Sequence, residues 1–131
     1  MLRMLDQTPW QQRQRLGALL VANVALGLGV AEAGPRHVSS SVPAAEAIIE
    51  GDHAEYVVRF DGPVDHESSR MEITQSGRVI EPLTLLLDSA PEVLFASARS
   101  PASGHYQLHW QVRSPEDGVI SSGDIPFSVA R

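Results

Sequence analysis

The segment from Gly104 to Val129 alternates apolar and polar residues on both sides of a short polar loop. Apolar side chains recur at every second position, as Tyr106, Leu108, Trp110 and Val112 before the loop and as Ile125, Phe127 and Val129 after it. Successive side chains of a β-strand point to opposite faces, so this period of two gives each strand one apolar face. The segment therefore predicts two half-buried strands joined by a loop.

Short apolar runs, separated by clusters of Gly, Pro, Ser and Asp, fill the chain from Gly34 onwards without convincing helical periodicity. We predict further strands at 38–41, 56–60, 71–73, 83–87 and 93–95, and a helical turn or loop at 44–49. Short strands at this spacing are typical of an all-β fold, here an immunoglobulin-like (Ig-like) antiparallel β-sandwich of about seven strands. Its core should contain six aromatic residues: Tyr56, Phe60, Phe95, Tyr106, Trp110 and Phe127.

Residues 1–33 have the pattern of a secretory signal peptide. An apolar run of 15 residues, Leu16 to Val30, follows three arginines and precedes Ala31-Glu32-Ala33, an A-x-A cleavage sequence. We predict cleavage after Ala33, export to the periplasm, and a mature domain of residues 34–131 that is not inserted in the membrane. The alternative is an uncleaved anchor, although the run is short against the roughly 20 residues that a spanning helix needs.

Composition limits the classes of partner and of chemistry. The chain contains no cysteine, which excludes disulfides, thiolate metal sites and cysteine nucleophiles. From Gly34 onwards it has seven arginines, no lysine and fourteen carboxylates, a net charge of −7. An acidic domain is a poor partner for nucleic acid or anionic membranes, and it is compatible with attracting cations.

The sequence contains no catalytic arrangement of residues, and we expect a protein that is not an enzyme. The serines at 39–41 lie near His37, but no Gly-x-Ser-x-Gly motif surrounds them. Phosphate-binding glycine loops, His-Glu-x-x-His and basic-aromatic patches are also absent from the sequence.

Four segments resemble the CopC family of periplasmic copper-binding β-sandwiches, in the right order and over essentially the whole mature region. The first is HVSSSVPA at 37–44, and the second is RFDGPVD at 59–65. The strand at 104–112 is similar to the family's Gly-Thr-Tyr-x-Val-x-Trp-x-Val strand. Asp117-Gly118 and the later Gly-x-x-x-Phe-x-Val at 123–129 match its closing hairpin.

The resemblance implies a role in copper homeostasis or copper resistance. It implies copper ion as the ligand and a membrane copper transporter of the CopD type as a partner. Family members bind Cu(II) through the amine and imidazole of an N-terminal histidine and through an Asp-x-His loop, donors that suit the tetragonal geometry of Cu(II). By this likeness the candidate metal ligands are His37 and Asp117.

The chain departs from the family pattern at both of its histidines. Val119 stands two residues after Asp117, and alignment of the opening segments places Pro35 at the N-terminal ligand. One interpretation is a residual, weak Cu(II) site formed by His37, Asp117 and water, with Glu116 as a further candidate. The other is a metal-free β-sandwich that serves as an interaction module of the cell envelope.

For the remaining histidines the sequence favours surface or turn positions, with adventitious metal binding by His53 or His66 as the alternative. His105 and His109 share the polar face of one strand, about 13 Å apart at ~3.3 Å per residue, which is too far to share a metal ion. We expect them at the surface, because the other face of that strand is apolar. His53 and His66 lie beside aspartates in predicted turns, where polar residues are common.

Overall fold

The structure is a computed structural model that describes residues 34–130, so the predicted signal peptide at residues 1–33 lies outside the described part. The described residues belong to one compact unit. They form eight strands and one short 3-10 helix: β1 (Val38–Val42), β2 (Ala47–Glu50), β3 (His53–Phe60), the 3-10 helix (His66–Ser68), β4 (Arg70–Gln75), β5 (Arg78–Pro82), β6 (Val93–Arg99), β7 (Gly104–Arg113) and β8 (Ile120–Ala130). No helix within residues 34–130 has the length and apolar character needed to cross a membrane.

The eight strands of this region form two sheets. The larger sheet has the strand order β2-β8-β7-β4-β5, and the smaller has the order β1-β3-β6. Neighbouring strands run antiparallel except β2 and β8, which run parallel. The prediction of an all-β, Ig-like sandwich is confirmed, with eight strands among residues 34–130 where about seven were expected.

β7 and β8 form the hairpin that the alternation predicts. Their register places Tyr106 opposite Phe127 and Leu108 opposite Ile125, and all four side chains are buried. Opposite residues of an antiparallel pair lie on the same face, so the two strands offer one continuous apolar surface to the core. The loop between them, residues 114–119, lies at one end of this sheet.

The core lies between the two sheets. Trp110 of β7 contacts Phe60 of β3 edge to face, with ring centroids 5.0 Å apart. Phe127 of β8 contacts Tyr56 of β3 in the same way at 6.0 Å. Such pairs contribute about 0.5–1.5 kcal/mol beyond the burial of their area. Five of the six aromatic residues predicted for the core are buried.

Phe95 is the exception, because β6 presents its other face to the core. Leu94 lies opposite Val58, and Ala96 lies opposite Tyr56; these four residues are buried, whereas Phe95 is half-buried. The prediction of Phe95 as a core residue is wrong. Apolar residues occupy both faces at 93–96, so alternation alone does not decide which face is inward.

The predicted turn at 44–49 contains a strand instead. Residues 47–50 form β2, which pairs in parallel with the end of β8. Ile49 packs against the core, while Ile48 is 65% exposed. A four-residue edge strand of this kind depends on its partner for its structure, which a local pattern cannot show.

The predicted strand at 83–87 is an irregular connection between the two sheets. Leu83 is buried and Leu85 packs against the core, whereas Leu86 and Leu87 are about half exposed. Leu83 and Leu85 therefore anchor to the core a segment that crosses from one sheet to the other and is not itself a β-strand.

Candidate metal site

The loop that joins β7 to β8 is a tight turn. The N–H of Ser114 donates to the carbonyl of Val119 (2.9 Å), and the N–H of Gly118 donates to the carbonyl of Ser114 (2.9 Å). Gly118 has a φ of +73°, a left-handed conformation that glycine adopts without the steric cost of a Cβ. The turn therefore fixes the backbone on both sides of Asp117.

Asp117 is the predicted ligand that this loop presents to solvent. Its Oδ1 accepts a hydrogen bond from the N–H of Val119 (3.1 Å), and its Oδ2 accepts one from the backbone nitrogen of Gly34 (2.8 Å). These two bonds, that of Val119 first, hold the pKa of Asp117 below its usual value, because hydrogen bonds to the charged form favour ionisation. Asp117 thus offers an ionised carboxylate.

Gly34 reaches Asp117 because the N-terminal segment runs beside the loop. The N–H of Arg36 donates to Oγ of Ser121 at the start of β8 (2.8 Å). The residue predicted as the mature N-terminus and the loop aspartate are therefore in contact, although 83 residues separate them in sequence.

Arg36 is a buried residue of this region that no sequence pattern predicted. Its side chain is 1% exposed. The guanidinium donates to the carbonyl of Pro63 through Nε (2.7 Å), to the carbonyl of Gly34 through Nη1 (3.2 Å) and to Oε1 of Glu116 through Nη2 (3.0 Å). Two of these acceptors, Pro63 and Glu116, come from distant parts of the chain, so the sequence around Arg36 carries no sign of its burial.

Glu116, the further candidate ligand, is engaged by its neighbours. Its Oε1 accepts from Arg36 and also from the hydroxyl of Ser114 (3.2 Å). Its side chain is 46% exposed. A metal ion would have to compete with the guanidinium for this carboxylate, which makes Glu116 a poorer ligand than Asp117.

His37 pairs with Asp61, in the turn that follows β3. Its N–H donates to Oδ1 of Asp61 (3.0 Å), and its Nδ1 lies 3.0 Å from Oδ2. The pKa of Asp61 is held below its usual value, chiefly by the backbone hydrogen bond from His37, so this carboxylate is ionised and only accepts. The proton of the pair therefore lies on Nδ1, and a neutral His37 carries its lone pair on Nε2.

The structure brings Gly34 and Asp117 together, and no hydrogen bond within residues 34–130 joins His37 to Asp117. The same residues contain no group of three or more His, Asp or Glu side chains arranged to hold a metal ion. The donor types present, imidazole nitrogen and carboxylate oxygen, suit Cu(II), but few of them converge. The assignment of His37 and Asp117 as ligands stays a prediction.

Two other histidines lie on the outer face of the larger sheet, as the alternation predicts. His105 is exposed, with Nδ1 2.8 Å from Oγ of Ser128 on β8. His109 is half-buried, because it lies in the central part of the sheet with Nδ1 2.9 Å from Oδ1 of Asp124. Each imidazole pairs with a side chain of the neighbouring strand.

Comparisons with known proteins agree with the resemblance of the four segments. Among solved structures, the chain is similar to CopC from Methylosinus trichosporium OB3b, with 27% identity and a TM-score of 0.61 over 72% of this chain and 92% of that chain. It is also similar to an engineered protein, with 26% identity and a TM-score of 0.54 over 73% of this chain and 20% of that chain. No curated protein matches it. The sequence profile of the CopC domain matches residues 38–130, well over half of the sequence, and the chain therefore belongs to the CopC family.

Proposed function

We propose that this chain is an exported copper-handling domain that binds Cu(II) weakly and serves as a buffer or carrier in the periplasm. The observation that carries the proposal is the 2.8 Å separation between the backbone nitrogen of Gly34 and Oδ2 of Asp117. Membership of the CopC family supports copper as the ion. The role is one of binding rather than catalysis, since the sequence contains no catalytic motif.

Cleavage after Ala33 would change the chemistry of the contact between Gly34 and Asp117. The amide nitrogen would become a primary amine, which is protonated below a pKa of about 7.7–8.0 in model peptides. As an ammonium it forms an ion pair with the carboxylate. After loss of its proton, the nitrogen and the carboxylate are two donors for Cu(II). Copper affinity should therefore rise with pH as the amine is deprotonated.

His37 is the imidazole donor of the proposed site. Nδ1–H of His37 donates a hydrogen bond to Asp61, which orients the ring and leaves Nε2 available to a metal ion, the arrangement found around many metal-bound histidines. Because the side chain is 74% exposed, an ion can approach Nε2 from solvent while Nδ1 keeps its hydrogen bond to Asp61. The proposed ligands are the amine of Gly34, the carboxylate of Asp117 and Nε2 of His37, completed by water.

The proposed binding is weak for three reasons. Val119 and Pro35 stand where the family pattern has histidines, so two imidazoles are missing. Glu116 is engaged by Arg36, and the permanent positive charge of Arg36 repels a second cation nearby. A weak site releases its ion readily, and the proposed recipient is a membrane copper transporter of the CopD type.

The test is a Cu(II) titration of residues 34–131 that carry a free Gly34 amine, with EPR spectra of the complex. The expected result is a tetragonal spectrum with nitrogen ligands. Affinity should fall at least about tenfold in Asp117→Asn and in His37→Ala, which corresponds to about 1.4 kcal/mol of binding free energy for each.

Two controls define the site. A protein that retains Ala33 moves the amine one residue away from Asp117 and should bind Cu(II) more weakly. His105→Ala removes an exposed histidine near the opposite end of β7 and should bind like the wild type. Copper binding that is unaffected by His37→Ala, Asp117→Asn and retention of Ala33 would contradict the proposed site.

A metal-free interaction module of the cell envelope is the second candidate. It is favoured by Arg36, whose guanidinium supplies a permanent positive charge where the N-terminal segment meets Pro63 and Glu116. In this case the acidic surface would contact a partner in the envelope. A titration in which the wild-type protein binds no Cu(II) would favour this function over the first.

A further inference from the structure

Arg36 carries a buried positive charge that supplies no ligand to the proposed copper site. The guanidinium of an arginine carries a permanent positive charge in proteins, yet the side chain of Arg36 is 1% exposed. Burial of a charge is costly unless it is paired and hydrogen-bonded. The contacts of the guanidinium therefore indicate why the chain places an arginine here.

The guanidinium joins segments that lie far apart in the sequence. Nε donates to Pro63, 27 residues away in the turn after β3, and Nη2 donates to Glu116, 80 residues away in the β7–β8 loop. Nη1 donates back to the carbonyl of Gly34 in its own segment. The backbone N–H of Arg36 adds the bond to Ser121 at the start of β8.

Gly62 leaves the space that the guanidinium occupies. A Cβ at this position would lie 3.1 Å from both Cζ and Nε of Arg36, closer than an ordinary van der Waals contact. Gly62 is not among the glycines with positive φ, so the backbone of the turn does not itself require glycine. The missing Cβ accommodates the arginine.

A space-filling role alone does not account for these contacts. An apolar side chain would fill the same volume without the cost of burying a charge. The planar guanidinium instead donates hydrogen bonds to three acceptors around it, the carbonyls of Pro63 and Gly34 and the carboxylate of Glu116. Acceptors in this arrangement match the fixed fork of N–H donors that only arginine has.

We propose that Arg36 is a positioning residue, a built-in cation that clamps the N-terminal segment onto the β7–β8 loop and so holds the nitrogen of Gly34 on Asp117 before any metal binds. The clamp acts in the metal-free protein, so this inference does not depend on copper binding. Copper would then add to a nitrogen and a carboxylate that are already together.

Amide hydrogen exchange of metal-free residues 34–131, which contain the complete core described above, tests the clamp. Arg36→Met keeps an unbranched apolar stem, shorter than that of arginine, and removes every guanidinium donor. The amides of residue 36 and of His37 are bonded to Ser121 and Asp61, and in this variant they should exchange at least about tenfold faster. The amide of Leu108 in the core strand β7 should keep its wild-type rate.

Arg59→Met is the matched control. Arg59 forms an exposed ion pair with Glu92 (2.7 Å), so the same change of charge and shape is made outside the clamp. Exchange at Arg36 and His37 should stay at the wild-type rate in this variant.

Two milder variants keep Arg36 and decide the question if Arg36→Met does not fold. Glu116→Gln removes the charge of its partner, and Gly62→Ala fills the space of the guanidinium; each should speed exchange at Arg36 and His37. Unchanged exchange at these two amides in the folded variants would overturn the proposal. Acceleration that spreads equally to Leu108 would also overturn it, because that pattern reports global rather than local loss of stability.

Discussion

The backbone nitrogen of Gly34 lies 2.8 Å from Oδ2 of Asp117, across 83 residues of sequence. The contact requires the tight β7–β8 turn, which presents the carboxylate, and an N-terminal segment held beside that turn. Arg36 bonds to the same segment and to the same loop. The contact is therefore the point at which the proposed copper chemistry and the proposed arginine clamp meet.

Asp117 should make the metal-free domain lose stability in acid. Its pKa is lowered from the usual 3.8, so its contribution to stability is complete above that value and is lost as the pH falls through the lower folded-state pKa. Asp117→Asn cannot ionise and should lose less stability than the wild type over the acidic range below pH 3.8. Urea unfolding across this range measures the difference, and equal pH slopes in the two proteins would contradict it.

The pair of His37 and Asp61 should contribute little to stability despite its two hydrogen bonds. Both side chains are substantially exposed, and exposed ion pairs are screened by water. A double-mutant cycle with His37→Ala and Asp61→Asn should give a coupling free energy below about 1 kcal/mol at neutral pH. A coupling several times larger would show that the pair holds the N-terminal segment in place of Arg36.

Tyr56 should destabilise the fold at high pH. Burial raises its pKa to about 12, and the charge of Glu81 adds to the shift. Between pH 10 and about 12 the folded state keeps a proton that the unfolded chain loses, so the free energy of unfolding should fall by about 1.4 kcal/mol per pH unit. Urea unfolding at two alkaline pH values measures this slope.

Tyr56→Phe should abolish that alkaline slope without loss of stability at neutral pH. The hydroxyl of Tyr56 is buried with no hydrogen-bond partner among the described residues. Its removal should leave the free energy of unfolding unchanged or raise it by up to about 1 kcal/mol. A clear loss of stability at pH 7 would show that the hydroxyl has a bonding partner.

Gly123→Ala should destabilise the hairpin. A Cβ at Gly123 would lie 2.7 Å from Cζ2 of Trp110, which would force the indole to move within a packed core at a cost of about 1–3 kcal/mol. Trp110 is the only tryptophan from Gly34 onwards, so its fluorescence reports unfolding directly. Ser122→Ala at the exposed neighbouring position is the control and should change stability by less than about 0.5 kcal/mol.

The fold was predictable wherever a local pattern decides which side of a strand is buried. The alternation around Trp110 and Phe127 predicts both strands of the last hairpin, because the pleat of a strand separates its two faces. The same reasoning fails for Phe95, where both faces of the strand are apolar. The strand predicted at 83–87 is also wrong, because within residues 34–130 this segment makes only single backbone hydrogen bonds to two different strands, from Leu83 to Met71 and from Leu86 to Phe95.

The candidate site divides in the same way. By itself, the sequence determined which donors exist, with Asp117 in the hairpin loop, His37 near the N-terminal segment and a valine in place of one histidine. Only the tertiary structure decided that Gly34 meets Asp117, that His37 pairs with Asp61 and that Arg36 is buried. The physical reason is that burial along a strand depends on near neighbours in the chain, whereas a buried charge depends on acceptors that distant segments supply only after folding.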